Sequence, residues 1–217
     1  MKREIIITSD GSTTIHLPAW NEQYHSKHGA IQEAYHVFIK HGLEYVSLEK
    51  IAVLEIGFGT GLNCFITYLE SNKEIEYVGV EAYPVAEEEI NKLNYVSELK
   101  AEDNSSVFNK IHKVSWETRH QIHENFYLTK RQQFFKDIKD VEAFNLIYFD
   151  AFGARVQPEL WTEEIFEKMF KALKSGGVLV TYAAKGSVRR AMEAVGFLVE
   201  RLPGPPGKRE MLRAIKN

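Results

Sequence analysis

Three glycines at alternate positions, Gly57, Gly59 and Gly61, follow an apolar run that begins at Ile51. Glycine lets the backbone turn sharply and approach a ligand without a side-chain clash. An acid, Glu55, precedes the loop, and a second, Glu81, ends the next apolar run 24 residues after Gly57. A carboxylate at that place can accept both hydroxyls of an adenosyl ribose. Asp150 directly follows a further apolar run, within Tyr148-Phe149-Asp150-Ala151-Phe152-Gly153. An acid among aromatic residues suits a cationic or amine substrate, through charge pairing and cation–π contact. In Phe134-Phe135-Lys136-Asp137, Asp137 offers a carboxylate to an adenine amino group. The plainer alternatives are a tight turn for the glycines, a solvated acid for Asp137 and a helix or turn cap for Asp150.

These residues need strands that end beside them, and the hydrophobic pattern supplies candidates. Ile51 to Ile56 is a strand, the glycines form the turn after it, and a helix runs through about Leu69. Glu76 to Val80 is the second strand, after which Pro84 is placed to open a helix. Residues 94 to 115 read as helical, and 119 to 133 are ambiguous with some strand alternation. Phe144 to Phe149 is a strand, Trp161 to Leu173 an amphipathic helix stopped by Ser175-Gly176-Gly177, Val178 to Tyr182 a strand and Ser187 to Ala194 a helix. Two strands close the chain, Phe197 to Leu202 and Glu210 to Ile215, joined by a loop rich in Pro and Gly. Upstream, Glu4 to Thr8 pairs with Thr13 to Leu17 around Asp10-Gly11, and Ile31, Ala34, Tyr35, Phe38 and Ile39 lie on one helix face. Alternating strands and helices predict an α/β domain with a mostly parallel sheet, and the terminal hairpin predicts an antiparallel edge. The expectation is one domain over residues 1–217, with a short N-terminal extension over 1–48 and the core over 51–217.

Composition narrows the classes. Of 217 residues, 44% are hydrophobic and 26% charged, which excludes a disordered chain. The single cysteine, Cys64, excludes an internal disulfide framework and a four-cysteine zinc site, and it fits a reducing cytoplasm. His120-Gln121-Ile122-His123 lacks ligand spacing on a helix, so no metal is expected. The N-terminus lacks a signal-peptide pattern, and no run approaches the ~20 apolar residues of a membrane helix. The net charge is −3, but from Lys185 onward eight basic residues face three acidic ones, a tail of +5 on a body of −8. Such a tail either steers a polyanion or is a solvated charged surface.

The spacing Gly-x-Gly-x-Gly places its third glycine one residue earlier than the dinucleotide fingerprint does. With Glu55 before it, the loop resembles the first motif of class I S-adenosylmethionine-dependent methyltransferases, which have a Rossmann-like fold. NAD binding is the minority reading. The resemblance extends along the chain to the methyltransferase domain of the MnmC family, in the stand-alone form called MnmD. It is carried by the segment from Tyr24 to Phe38, by Gly57-Phe58-Gly59-Thr60-Gly61-Leu62-Asn63, by Asp150-Ala151-Phe152 with Pro158-Glu159-Leu160-Trp161-Thr162, by Ser187-Val188-Arg189-Arg190, and by Gly207-Lys208-Arg209-Glu210-Met211-Leu212. The chain departs from the family at Ala151, where Gly is common, at Gly153-Ala154 in place of Ala-Pro, and at Lys136 before Asp137.

The resemblance implies methylation of the amine of 5-aminomethyl-2-thiouridine at the wobble position of tRNA. It implies S-adenosyl-L-methionine as cofactor, contacts to it from Glu33, Glu55, Asn63, Glu81 and Asp137, and no flavin, since the oxidoreductase domain of bifunctional members has no counterpart here. On this reading Asp150 orients the amine, and Phe152 and Tyr24 wall the site or stack on the base. Arg189, Arg190, Lys208 and Arg209 are candidates to touch phosphates of the anticodon stem-loop. Two other readings stay open. One is a small-molecule amine methyltransferase or a relative of the aminopropyltransferases, and the other is a binding module without turnover.

Overall fold

A computed structural model describes residues 2–217. Strands β1 (Glu4–Ile7), β2 (Thr13–Leu17) and β3 (Glu22–Gln23) form a small antiparallel sheet in the order β1-β2-β3. Helix α1 (Ala30–Ala34) continues as a wider π-helical stretch, Tyr35–Lys40. Then follow β4 (Lys50–Ile56), α2 (Leu62–Glu70), β5 (Glu74–Val80), the short helices α3 (Glu87–Ile90) and α4 (Tyr95–Glu98), and α5 (Ser105–Lys113). The second half holds β6 (Arg119–His123), β7 (Phe126–Arg131), β8 (Phe144–Phe149), α6 (Glu163–Ala172), β9 (Leu173–Thr181), α7 (Gly186–Ala194), β10 (Leu198–Pro203) and β11 (Glu210–Ile215).

The main sheet has eight strands in the order β10-β11-β9-β8-β4-β5-β7-β6. The five from β9 to β7 run parallel. Antiparallel strands close both edges, β11 and β10 beside β9 and β6 beside β7. The C-terminal antiparallel edge matches the expectation, and residues 119 to 133 resolve into the hairpin at the other edge. Strands covered on both faces read as near-continuous apolar runs. One core packs Val37, Phe38, Phe65, Ile66, Phe108 and Ile111 from the π-helical stretch, α2 and α5 against one face. The other packs Ile165, Phe166, Met169 and Met192 from α6 and α7 against the opposite face.

Three local expectations differ. Residues 94 to 115 do not form one helix: Lys100 takes a positive φ of 52° and separates α4 from α5. Pro84 does not open a helix, since α3 begins three residues later at Glu87. Ser175-Gly176-Gly177 does not stop α6. The helix ends at Ala172 and β9 begins at once, with the glycines absorbing an irregularity in its pairing to β8.

Two ties hold the N-terminal sheet over the loop after β5. Asn94 accepts from the backbone N–H and hydroxyl of Thr13 and donates to the Gly11 carbonyl. Arg3 pairs with Glu89 at 3.0 Å and donates to the Tyr83 carbonyl. No helix of the described residues is long and apolar enough to cross a membrane.

Candidate active site

A cleft of about 420 Å³ opens at the carboxyl ends of β4, β5 and β8, the place where open α/β sheets bind ligands. Its floor is the glycine loop. Gly57 and Phe58 both donate their N–H groups to the Val80 carbonyl at 3.0 Å, which pins the loop to the end of β5. Gly57 has φ +90°, and a Cβ there would sit 2.6 Å from the carbonyl oxygen of Asp150. Gly59 has φ +50° and lies under the Tyr24 ring, 3.1 Å from where its Cβ would be. Phe58 turns away from the cleft and fills the space over Gly79 on β5, where a Cβ would be 2.2 Å from its ring.

Glu81 is half-buried at the cleft wall. Its two oxygens accept from the backbone N–H groups of Gly59 (3.1 Å) and Tyr83 (2.9 Å). The exposed rings of Tyr83 and Phe134 meet edge to face at 6.0 Å beside it. Across the cleft Phe152 packs edge-on against Tyr24 (5.0 Å) and Trp20 (5.8 Å). Arg155 fixes the Trp20 turn by donating to the carbonyls of Trp20 and Asn21 and pairing with Glu22 at 3.1 Å.

Asp150 lies between the glycine loop and this aromatic trio, its side chain only 6% exposed. Asn63, on the first turn of α2, donates through Nδ2 to Asp150 Oδ2 and to Glu55 Oε1, both at 2.9 Å. Glu55 is wholly buried in β4 and also accepts from the Tyr77 hydroxyl at 2.9 Å. Burial first, and then the neighbouring Glu33 charge, push the Asp150 carboxyl up to about 7 against the opposing Asn63 hydrogen bond and Lys208 charge. Burial likewise holds Glu55 well above the usual carboxylate range. Lys208 bridges from the β10–β11 loop, with its ammonium on Glu33 and 3.8 Å from the centre of the Tyr182 ring.

The site residues expected from sequence therefore divide. Gly57, Gly59, Glu81, Asp150, Phe152 and Tyr24 line one cleft. Glu55, Asn63 and Glu33 do not line it: Asn63 bridges Glu55 to Asp150, and Glu33 acts on Asp150 through its charge. Gly61 does not line it: its φ of +72° opens α2, and a Cβ there would lie 2.9 Å from the His112 ring, so packing demands glycine. Asp137 does not line it either. The single 3-10 turn Phe135–Asp137 gives Phe135 and Lys136 to the cleft and sends Asp137 to a separate hollow with Arg131 and Asp140. Lys208 turns inward to Glu33 instead of outward. Arg189 pairs with Glu193 at 3.5 Å on α7, whereas Arg190 and Arg209 are exposed and make no ion pair among the described residues.

The cleft residues that sequence reasoning missed include Trp20 and His25. Both come from the aromatic, polar stretch between β2 and α1, whose density of ring side chains in a connecting segment was the available signal. Cys64 is fully buried. No cluster of three or more His, Cys, Asp or Glu able to hold a metal occurs among the described residues.

The sequence pattern of a family described as S-adenosyl-L-methionine-dependent methyltransferases matches residues 92–217. A curated relative is the "tRNA 5-methylaminomethyl-2-thiouridine biosynthesis bifunctional protein MnmC" of Marinomonas sp. (strain MWYL1). It is 27% identical over 215 residues, covering 90% of this chain and 31% of that protein. The chain spans about a third of the length of the curated relatives it matches. Among solved structures, MNMC2 from Aquifex aeolicus superposes with a TM-score of 0.76 at 22% identity, covering 100% of this chain and 70% of that one. Spermidine synthase from Thermotoga maritima does so at 0.57 and 14%, covering 98% and 67%. These two likenesses are of fold. The cleft fits the family's cofactor by its own features: bare backbone at Gly57 and Gly59, a carboxylate positioned by two N–H groups at Glu81, and flat rings beside it.

Proposed function

Since the chain belongs to the family of S-adenosyl-L-methionine-dependent methyltransferases, we propose that it methylates the primary amine of 5-aminomethyl-2-thiouridine at the wobble position of tRNA. The observation that carries this reading is a buried carboxylate, Asp150, set between the glycine loop and the rings of Trp20, Tyr24 and Phe152. That is a place for a flat base bearing a cationic arm. The relatives named for tRNA 5-methylaminomethyl-2-thiouridine biosynthesis support the substrate.

Gly57, Gly59 and Glu81 hold the cofactor on this reading, with Glu55 and Asn63 acting from behind. S-adenosyl-L-methionine, when bound, supplies a sulfonium-activated methyl group that passes to the amine nitrogen and leaves S-adenosylhomocysteine. The enzyme's work is then largely placement. Asp150 binds the arriving ammonium and orients its nitrogen. An ammonium has no lone pair, so one proton must leave before or during attack, and Asp150 receives it. A carboxyl near 7 does this better than an ordinary aspartate near 3.9. Trp20 and Phe152 stack on the base, Tyr24 closes the wall, and Arg190 and Arg209 contact the phosphates of the anticodon stem-loop.

The test is methyl transfer from labelled S-adenosyl-L-methionine to tRNA lacking this methylation, with the free aminomethyl-thiouridine nucleoside in parallel. The nucleosides are then identified by mass. Methylaminomethyl-thiouridine formed from tRNA supports the proposal. No product from competent tRNA, with cofactor binding verified, overturns it.

One observation favours a second reading, a small-molecule amine acceptor. Much of the basic tail is neutralised locally, in the pairs Arg189–Glu193, Arg201–Glu210, Arg213–Glu200 and Lys216–Glu142. That weakens the field available to steer a polyanion. Product from the free nucleoside at a rate equal to that from tRNA would support this alternative.

A further inference from the structure

A buried chain of side chains from distant segments ends at Asp150. Tyr95, fully buried on α4, donates its hydroxyl to Thr60 Oγ1 at 3.0 Å. Thr60, fully buried in the glycine loop, lies 2.7 Å from His25 Nε2. A threonine hydroxyl carries one proton and accepts through its lone pairs. Thr60 accepts from Tyr95, and Nε2 is the one acceptor that its own hydroxyl proton meets among the described residues, so the geometry points to Thr60 donating to Nε2. Nε2 is then the bare nitrogen, and the proton of the neutral ring sits on Nδ1. Nδ1 faces Asp150 Oδ2 at 4.0 Å. The His25 backbone N–H, bound to Thr14 Oγ1 at 3.0 Å, fixes the residue from behind. Burial holds the imidazole down to about 4, so it stays neutral, and the nearby charges of Asp10 and Lys208 oppose one another.

Asp150 is therefore held from one side. Oδ2 receives Asn63 Nδ2 from α2 at 2.9 Å and lies 4.0 Å from His25 Nδ1 of the N-terminal segment. Oδ1 accepts no hydrogen bond from any described residue and is left to the cleft. The other ionisable groups around Asp150 are Glu33 on α1, Glu55 on β4, Tyr95 on α4, Lys208 on the β10–β11 loop and Tyr182 after β9. At 4.0 Å the His25 contact is longer than a hydrogen bond. With the proton on Nδ1 it is a charge–dipole contact, stronger in a dry site than in water.

We propose that His25 is a positioning residue whose Nδ1–H holds Oδ2 of Asp150, keeps that group a carboxylate, and leaves Oδ1 for the acceptor amine. The inference rests on the reading of Asp150 as the amine-binding carboxylate. It extends the site into the N-terminal segment and assigns Thr60 and Tyr95 the task of fixing the tautomer.

Two measurements on the full chain test it. The first is nitrogen NMR of protein labelled with 15N-histidine and free of substrate, with the His25 signal assigned by its loss in His25→Asn. A proton on Nδ1 and none on Nε2 from about pH 5 to pH 8 is expected. A proton on Nε2, or an imidazolium near pH 6, overturns the proposal. The second is the pH profile of kcat for two variants. The amide nitrogen of His25→Asn falls near the Nδ1 place, whereas that of His25→Gln falls near the Nε2 place and reaches only Thr60. The acid limb of His25→Gln is expected to move up by about one pH unit, a roughly tenfold loss at low pH that shrinks as pH rises. His25→Asn restores the limb, and KM for the cofactor stays put in both. A uniform loss at every pH, or equal effects of Asn and Gln, overturns the proposal. If His25→Gln fails to fold, Thr60→Val, which keeps the histidine and releases its tautomer, moves the limb in the same direction. An unmoved limb in Thr60→Val overturns the proposal. The NMR result needs no methyl acceptor. A wild-type protein inactive on tRNA therefore overturns the proposed function, while the nitrogen signals still decide the tautomer.

Discussion

The Lys208 ammonium, in the last loop of the chain, pairs with the buried carboxylate of Glu33 on α1, 175 positions earlier. The pair clamps the β10–β11 loop against the wall behind Asp150 and balances an acid that would otherwise raise Asp150 further. Glu33 is 7% exposed and Lys208 30%, so the pair is dry on the acidic side. Removing the lysine strands a buried charge, and Lys208→Met is expected to cost about 2–3 kcal/mol of stability. The double variant Lys208→Met with Glu33→Gln recovers most of that loss. Urea unfolding of the four proteins of this cycle checks it, and additive losses would show that the two side chains do not couple.

Asp150 sets a pH dependence in both rate and stability. The arriving amine needs the carboxylate, so kcat is expected to climb about tenfold per pH unit below about 7 and to level above it. Asp150→Asn is expected to lower kcat by about 10²-fold or more while S-adenosylhomocysteine binds within a few-fold of wild type. The stability sign is opposite to that of a salt-bridged acid. The folded state binds the Asp150 proton more tightly than the unfolded chain, so this contribution is full below about 4 and is lost as pH rises through about 7. Wild type should therefore gain stability relative to Asp150→Asn as pH falls from about 7 to about 4, read as the difference in Tm.

The aromatic trio makes a separate prediction about the acceptor. Base–aromatic stacking contributes roughly 1–3 kcal/mol. Trp20→Ala and Phe152→Ala are each expected to raise KM for tRNA by about tenfold and to leave cofactor affinity unchanged. Cofactor titration of the same variants checks the second half. A matching loss of cofactor affinity would place these rings at the wrong end of the cleft.

Charge at the surface makes the fourth. Arg190 and Arg209 are exposed without ion pairs among the described residues, whereas Arg189 and Lys208 are already paired. Removing a cation that neutralises one phosphate lowers the slope of log K against log salt by about 0.9 on duplex and about 0.7 on single strands. Arg190→Ala and Arg209→Ala are expected to flatten that slope by about one such step each, and Arg189→Ala to leave it nearly unchanged. Filter binding of tRNA across a salt series measures it.

Much of the site could be read along the chain because its demands are local. A loop that takes a φ of +90° at residue 57 favours glycine there whatever surrounds it, whereas the φ of +50° at residue 59 is one that Lys100 also adopts, and there the Tyr24 ring adds to the demand. Acids that follow apolar strands, such as Glu81 and Asp150, are delivered to one edge by the parallel order of those strands. The parallel core and its C-terminal hairpin follow from the same alternation of apolar segments and turns. What required the tertiary structure was the direction and partnership of each side chain. One 3-10 turn sends Asp137 out of the cleft and leaves Lys136 in it. Gly61 answers to His112, a meeting of segments 51 residues apart that no loop pattern encodes. The basic tail looks like one field in the sequence, but five of its eight charges are spent singly on Glu193, Glu210, Glu200, Glu142 and Glu33. His25, Thr60, Tyr95 and Asp150 meet only because α4, the glycine loop, the N-terminal segment and β8 pack together. Backbone conformation and apolar periodicity are properties of neighbouring residues and are legible in order. The ionisation of a buried group depends on what folding brings within a few ångströms of it, and that is decided only in three dimensions.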